Sequence, residues 1–305
     1  MSDSLIIKVG FCVAYDWELL KTSLPLVYPY ADRICLSLDK DRKSWAGNHF
    51  EFNEHKFNGF LKEIDKDNKI LLIEKDFSDT CRTTRENCNL QRTAMAEALG
   101  TGGWHIQIDA DEYFLDFENF VNYLKKLHPC PTGKEKPFNV LANYVPLIKQ
   151  VNGGFLYVDF LNSIPESAPF ATTSPKYERA RHNGYFNMIS PFYVVHETWA
   201  RNEDDLWFKI NNWGHSSEEL HEVKKRKSYF DLWKALDENN YFYVRNFHPA
   251  VPVAWPALDF QMGTTAAEFI DNFKVPKFPV SDFQISLRNS RNIARLKMLY
   301  YKMKS

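Results

Sequence analysis

Apolar and polar positions divide the first 115 residues into short apolar runs and amphipathic stretches that alternate. Leu5 to Val13 reads as a buried strand, Trp17 to Leu26 as a short helix and Arg33 to Leu38 as a second strand. Phe57 to Ile64 then reads as a helix and Lys69 to Ile73 as a third strand. Near-continuous apolar runs separated by helices predict a parallel sheet covered on both faces, since its strands are buried on both sides. Thr83 to Leu99 carries the clearest helical signal. Thr83-Thr84-Arg85-Glu86 has the form of a capping box, Leu90, Ala94 and Ala98 recur at four-residue spacing, and Gly100, Gly102 and Gly103 follow as terminators. Arg85, Asn89 and Arg92 share a separate, polar face. A fourth strand, Trp104 to Ile108, leads into Asp109-Ala110-Asp111-Glu112. A helix capped by Asp116 follows, with Phe117, Phe120, Val121, Leu124 and Leu127 as its apolar stripe.

The segment from Pro129 to Pro137 is rich in Pro, Gly and Lys and marks the expected internal boundary. Beyond it, Phe138 to Tyr144, Gly154 to Phe160 and Phe192 to His196 read as strands, and Ser163 to Pro175 as a loop rich in Pro, Ser and Thr. Helical patterns cover Glu203 to Ile210, Glu218 to Leu236 and Ser286 to Lys302. The expected organisation is an α/β half over residues 1–128, a second half of the same domain over 129–220, and a helical extension over 221–305. No internal repeat or low-complexity tract interrupts it.

With 305 residues, 44% hydrophobic and 25% charged, the chain has the composition of a folded globular protein. A formal net charge of −1 argues against the broad basic surface of a non-specific nucleic-acid binder. No apolar run reaches the length that crosses a bilayer, and Met1-Ser2-Asp3-Ser4 lacks the form of a secretion signal. Five scattered cysteines without a C-x-x-C pair form neither a disulfide framework nor a zinc knuckle, so a reducing, cytoplasmic setting is expected. The 24 Phe, 15 Tyr and 8 Trp exceed ordinary usage; such rings build cores and also make platforms for sugars.

The strongest chemical signal is Asp109-Ala110-Asp111, with Glu112 beside it. Carboxylates crowded at a strand end repel one another unless a cation is present, and oxygen ligands alone suit a hard ion such as Mg²⁺ or Mn²⁺. In open parallel sheets ligands collect beyond the carboxyl ends of the strands. A bare D-x-D is also an ordinary solvated turn, but its position after an alternating strand and a capped helix favours a site.

These residues, with the Val9-to-Tyr15 strand and turn, Asp39 after the second strand and Arg92 in the preceding helix, resemble the bacterial family-2-like glycosyltransferases of GT-A fold. The resemblance covers about the first 120 residues well and extends weakly to about residue 220. It implies a Rossmann-like, mainly parallel sheet with helices on both faces. It also implies a nucleotide-sugar donor, a Mn²⁺ or Mg²⁺ cofactor and inversion at the transferred sugar. By that analogy Ala14, Tyr15, Asp16, Asp39, Arg92, Asp109 and Ala110 hold the nucleotide. Asp111 takes the metal, with Asp109 near it, and His215 resembles the histidine that completes the metal site.

The acidic run Glu203-Asp204-Asp205 at a helix start offers a general base, Asp204 first, although acids also favour first turns through the helix dipole. His196-Glu197 lacks the second histidine of a zinc protease, since position 200 is Ala, and is read as polar groups of an acceptor site. Trp199, Trp207 and Trp213 offer a sugar platform or core packing. Residues 283–305 hold six Lys or Arg and no acid. Such a helix suits peripheral contact with an anionic leaflet, where lipid-linked acceptors are found, or simply a solvated helix end. The expected activity is transfer of a sugar, UDP-linked, to a glycan or lipid-linked hydroxyl. A metal-dependent nucleotidyltransferase or phosphohydrolase and a non-catalytic carbohydrate-binding module are the alternatives. Against the former stands the absence of a Gly-rich phosphate loop.

Overall fold

A computed structural model describes residues 6–214 and 222–304. The first third alternates strands and helices: β1 (Ile7–Val13), α1 (Leu20–Val27), β2 (Arg33–Asp39), α2 (Glu54–Ile64), β3 (Ile70–Lys75), α3 (Thr84–Leu99) and β4 (Trp104–Asp109). These strands pair in parallel in the order β4-β1-β2-β3, as the apolar runs predict. Cys12 lies opposite both Ser37 and Asp109, so β1, β2 and β4 end along one edge of the sheet.

The second half is mixed. After β5 (Glu112–Phe114) and α4 (Phe117–Leu127) come β6 (Phe138–Val151), β7 (Gly154–Asp159), β8 (Ser167–Thr172), β9 (Phe186–Met188) and β10 (Tyr193–His196). β8 is antiparallel to both β4 and β6 and joins the two halves into one sheet. It lies inside the stretch that the sequence pattern assigns to a loop. Ser-Ala-Pro-Phe-Ala-Thr lacks the usual alternation, and Pro169, which has no N–H to donate, sits beside a register shift in the ladder. β10 runs parallel to β6 and antiparallel to β5, setting His196 opposite Glu112.

The chain continues through α5 (Glu203–Asn212), α6 (Val223–Ala235), β11 (Ala257–Met262), α7 (Ala266–Asn272), α8 (Asp282–Arg288) and α9 (Arg291–Lys304). β11 pairs with β7 at the sheet edge, and Gly154 permits the approach: a Cβ there would lie 2.3 Å from the Gln261 carbonyl oxygen. The single helix expected over residues 286–302 is two helices. The break is at Asn289, which exchanges two hydrogen bonds with the Ile189 backbone. No described helix is long and apolar enough to cross a membrane.

One hydrophobic core surrounds the parallel strands, with Phe11, Trp104, Ile108 and Phe120 fully buried. A second lies beneath α5 and α6, where Trp199, Leu206, Ile210 and Trp233 pack on Ile148 and Leu156. The capping box of α3 forms as expected: Glu86 N donates to Thr83 Oγ1 and Thr83 N donates to Glu86 Oε2. Its buried face differs from the expected one. Leu90 is 38% exposed, whereas Asn87, Gln91 and Arg92 are buried with Met95 and Leu99.

His105 on β4 stands beside Lys8 of β1, and burial, aided by the lysine charge, lowers its imidazole to about 4. An unfolded histidine titrates near ~6.5, so the unfolded chain binds this proton first as pH falls. The associated stability is therefore complete above that value and is lost as pH drops towards 4. Urea unfolding of wild type should show an acid-side loss about 2–4 kcal/mol larger than that of His105→Gln over this interval. Equal pH slopes for the two proteins would contradict the assignment.

Candidate active site

A cavity of ≈590 Å³ lies at the edge where β1, β2 and β4 end. Ala14, Tyr15 and Asp16 enter it from the turn after β1, Asp39 from the end of β2, and Asp109 to Glu112 from the end of β4. Its size and its position beyond parallel strand ends are those of a ligand site.

Asp111 and Glu112 are buried, Asp109 is partly exposed, and each meets cations. Asp109 accepts two bonds from Arg92 Nη2, at 2.7 and 2.9 Å, and one from Arg181 at 2.9 Å. Asp111 Oδ2 accepts from Lys209 Nζ at 2.5 Å and from Arg201 at 2.8 Å. Arg201 also reaches Asp16, at 2.9 Å. Glu112 accepts from Arg181 at 2.6 Å, from the Tyr144 hydroxyl at 2.9 Å and from the Asp109 backbone N–H at 2.8 Å. Burial pushes the Asp111 carboxyl up, but Lys209, His196 and Arg201 outweigh it and hold the group well below the usual carboxylate range. Asp109 is lowered in the same way by Arg92 and Arg181 against its burial. Burial, then Arg201, lowers the Lys209 ammonium, with Asp111 opposing.

Polar residues of α3 set much of this geometry. Gln91 accepts from the Trp45 indole and donates to the Ser37 carbonyl, and Asn87 donates to the Trp45 carbonyl, so the loop after β2 is held against the helix. Asn89 donates to the Glu178 carbonyl and accepts from Ala180 N–H, fixing the loop that carries Arg181. Arg92 spends its donors on Asp109, Gln107 and Cys88, so it positions Asp109. Asp39 also reaches the cavity wall, while its oxygens accept from the Asp41, Lys43 and Phe77 backbone N–H groups and fold the adjoining loops.

Ala14, Tyr15, Asp16, Asp39, Arg92, Asp109, Ala110, Asp111 and His196 therefore converge on one cavity. His196 Nε2 is 3.6 Å from Asp111 Oδ2, and its ring packs on Tyr144. Glu197 does not line the cavity: its carboxyl accepts from the Tyr113 hydroxyl, and burial raises it. Glu203, Asp204 and Asp205 do not line it either. They form the first turn of α5, where Asp205 N donates to the Asn202 cap and Glu203 pairs with Lys234. Helix capping and dipole charge account for this acidic run. His215 lies outside the described residues. Trp199 is fully buried and Trp213 packs edge-on against it, whereas Trp207 packs on Phe230, so the three form no common platform.

Sequence pattern alone assigns no role to Arg181, Arg201, Lys209 or Tyr144. Lys209 left a trace: it falls between Leu206 and Ile210 on the buried face of α5, where a lysine has to find a carboxylate. Arg181 sits in a loop and left none.

The expected divalent ion meets a poor donor set. Both Asp109 oxygens are engaged by guanidinium groups, and Asp111 Oδ2 by an ammonium and a guanidinium. No three His, Cys, Asp or Glu side chains converge as metal ligands among the described residues. The charge that a metal would neutralise is met by Arg92, Arg181, Arg201 and Lys209, and the ligand set does not fit the ion.

If this ion network supports the fold, Arg181→Met strands Glu112 and one Asp109 oxygen without their cation. Such a variant should lose about 3–5 kcal/mol in urea unfolding, with partial recovery on adding Glu112→Gln. A loss below about 1 kcal/mol, the range of exposed pairs, would contradict a structural role.

No protein-family model matches the chain, and no curated protein matches it. Among solved structures it is similar to one described as "Crystal structure of S. aureus TarS 1-349". That likeness has 8% identity, covers 79% of this chain and 76% of that one, and has a TM-score of 0.35. A likeness of that strength identifies neither family nor activity.

Proposed function

We propose that the protein is a glycosyltransferase of GT-A type that moves a hexose from a nucleoside diphosphate donor, UDP-linked first among candidates, to a hydroxyl of a glycan or lipid-linked acceptor. The observation that carries this reading is the convergence of the β1 turn, Asp39 and Asp109–Glu112 in one cavity at the parallel strand ends. Tyr15 and Trp45 supply aromatic wall on the nucleoside side. The nucleotidyltransferase and binding-module alternatives gain no specific observation.

In the proposed step the acceptor oxygen attacks the anomeric carbon from the face opposite the diphosphate. A new C–O bond forms as the bond between that carbon and the phosphate oxygen breaks, and the electron pair leaves with the diphosphate. The acceptor proton passes to His196 in place of the α5 acids, because an imidazole paired with a carboxylate is the arrangement of an oriented base. The Asp111 carboxylate, 3.6 Å from Nε2, stabilises the imidazolium that forms, and the positively charged side chains meet the charge developing on the leaving group.

A thermal-shift panel of UDP, GDP, CDP, dTDP and ADP, each with and without Mn²⁺, tests the reading. One base should raise the melting temperature, since a ligand at about 100 times its Kd adds roughly 2.7 kcal/mol. The matching nucleotide sugar should be slowly hydrolysed to the same diphosphate. Stabilisation by free glycans but by no nucleotide would replace transfer with a binding role.

A further inference from the structure

We infer that the cavity binds the donor diphosphate through its own Lys209 and Arg181 in place of a divalent metal ion. The inference rests on the nucleotide-sugar reading for the identity of its ligand. Its main readout, the state of the motif carboxylates, does not depend on that reading.

Coordination and charge carry it. A hard cation needs carboxylate lone pairs, and here three of the four oxygens of Asp109 and Asp111 already accept from cationic donors. An ion at this point would face Arg92, Arg181, Arg201 and Lys209. Asp16, Asp109, Asp111 and Glu112 offset those four charges, so the cluster has no negative excess to attract a metal, while Lys43, Arg85 and Arg179 outnumber Asp39 and Glu166 on the same wall and leave it positive towards a diphosphate.

Lys209 and Arg181 are preorganised at the cavity wall. The Lys209 ammonium has three donors, and the Asp111 contact at 2.5 Å uses one. Its stem is buried, and Nζ lies 5.9 Å from the Trp199 ring centroid. Arg181 packs its guanidinium over Phe170 at 4.5 Å and is held by Glu112, Asp109 and the Tyr144 hydroxyl. Both side chains line the cavity. A fixed ammonium and a fixed guanidinium give charge-assisted bonds to phosphate oxygens with little reorganisation.

Full-length protein is titrated with the nucleoside diphosphate found in the panel, once in EDTA and once in Mn²⁺, and Mn²⁺ binding is followed separately by the EPR signal of the free ion. Wild type should bind the nucleotide equally, within about twofold, in both buffers and leave Mn²⁺ free. Lys209→Met should weaken the nucleotide in EDTA by about 30-fold or more and, by removing one of the two cations on Asp111 Oδ2, acquire Mn²⁺ binding that wild type lacks. Lys209→Arg, which keeps the charge, should retain most of the affinity. Loss of nucleotide binding in EDTA with recovery in Mn²⁺, or one Mn²⁺ bound per wild-type chain, would overturn the inference, and neither measurement needs a variant to fold. Should no nucleoside diphosphate bind in either buffer, the glycosyltransferase reading fails. Free Mn²⁺ over wild type and bound Mn²⁺ on Lys209→Met would still uphold Lys209 as the occupant of the metal position.

Discussion

The pairing of Asp109 and of the buried Asp111 and Glu112 with Arg92, Arg181, Arg201 and Lys209 is the constraint on which the rest of the molecule depends. Carboxylates at the end of a central strand are expensive to desolvate, and the cations that offset this come from distant parts of the chain: α3, the loop before β9, the turn before α5, and α5 itself. Their ion pairs draw the second half of the chain over the parallel half. β8 does the same with backbone hydrogen bonds, and the cavity is the space left between these attachments.

Helix α3 is where packing and chemistry meet. Its buried face mixes apolar residues against the sheet with Asn87, Gln91 and Arg92, which secure the loop after β2 and the first motif aspartate. Asn89 fixes the loop bearing Arg181 from the same helix. A helix that reads as merely amphipathic is thus a scaffold with hydrogen bonds to three separate parts of the wall. The capping box keeps its first turn in register with those loops.

The parallel strands, the α3 cap and the acidic strand end were legible in sequence because each is a local pattern: an apolar run, a four-residue capping signature, or a motif at a strand end. What was not legible depends on partners far along the chain. The polar face of α3 points inwards because Gln107 and Asp109 receive Arg92. β8 hides in a Pro-containing stretch whose ladder is irregular. The acids of α5 imitate a catalytic cluster while serving a helix start, and His196 reaches Asp111 only because β10 pairs with β5. In each case a tertiary contact decides between local alternatives that the sequence leaves nearly balanced.

The most direct measurement is a crystal structure of the protein with a nucleoside diphosphate bound in the presence of EDTA. Terminal phosphate oxygens about 3 Å from Lys209 Nζ and the Arg181 guanidinium, with the ribose near Asp39 and Asp109, are the expected result. A diphosphate bound away from this strand edge, or lying in the cavity without contact to either cation, would contradict it.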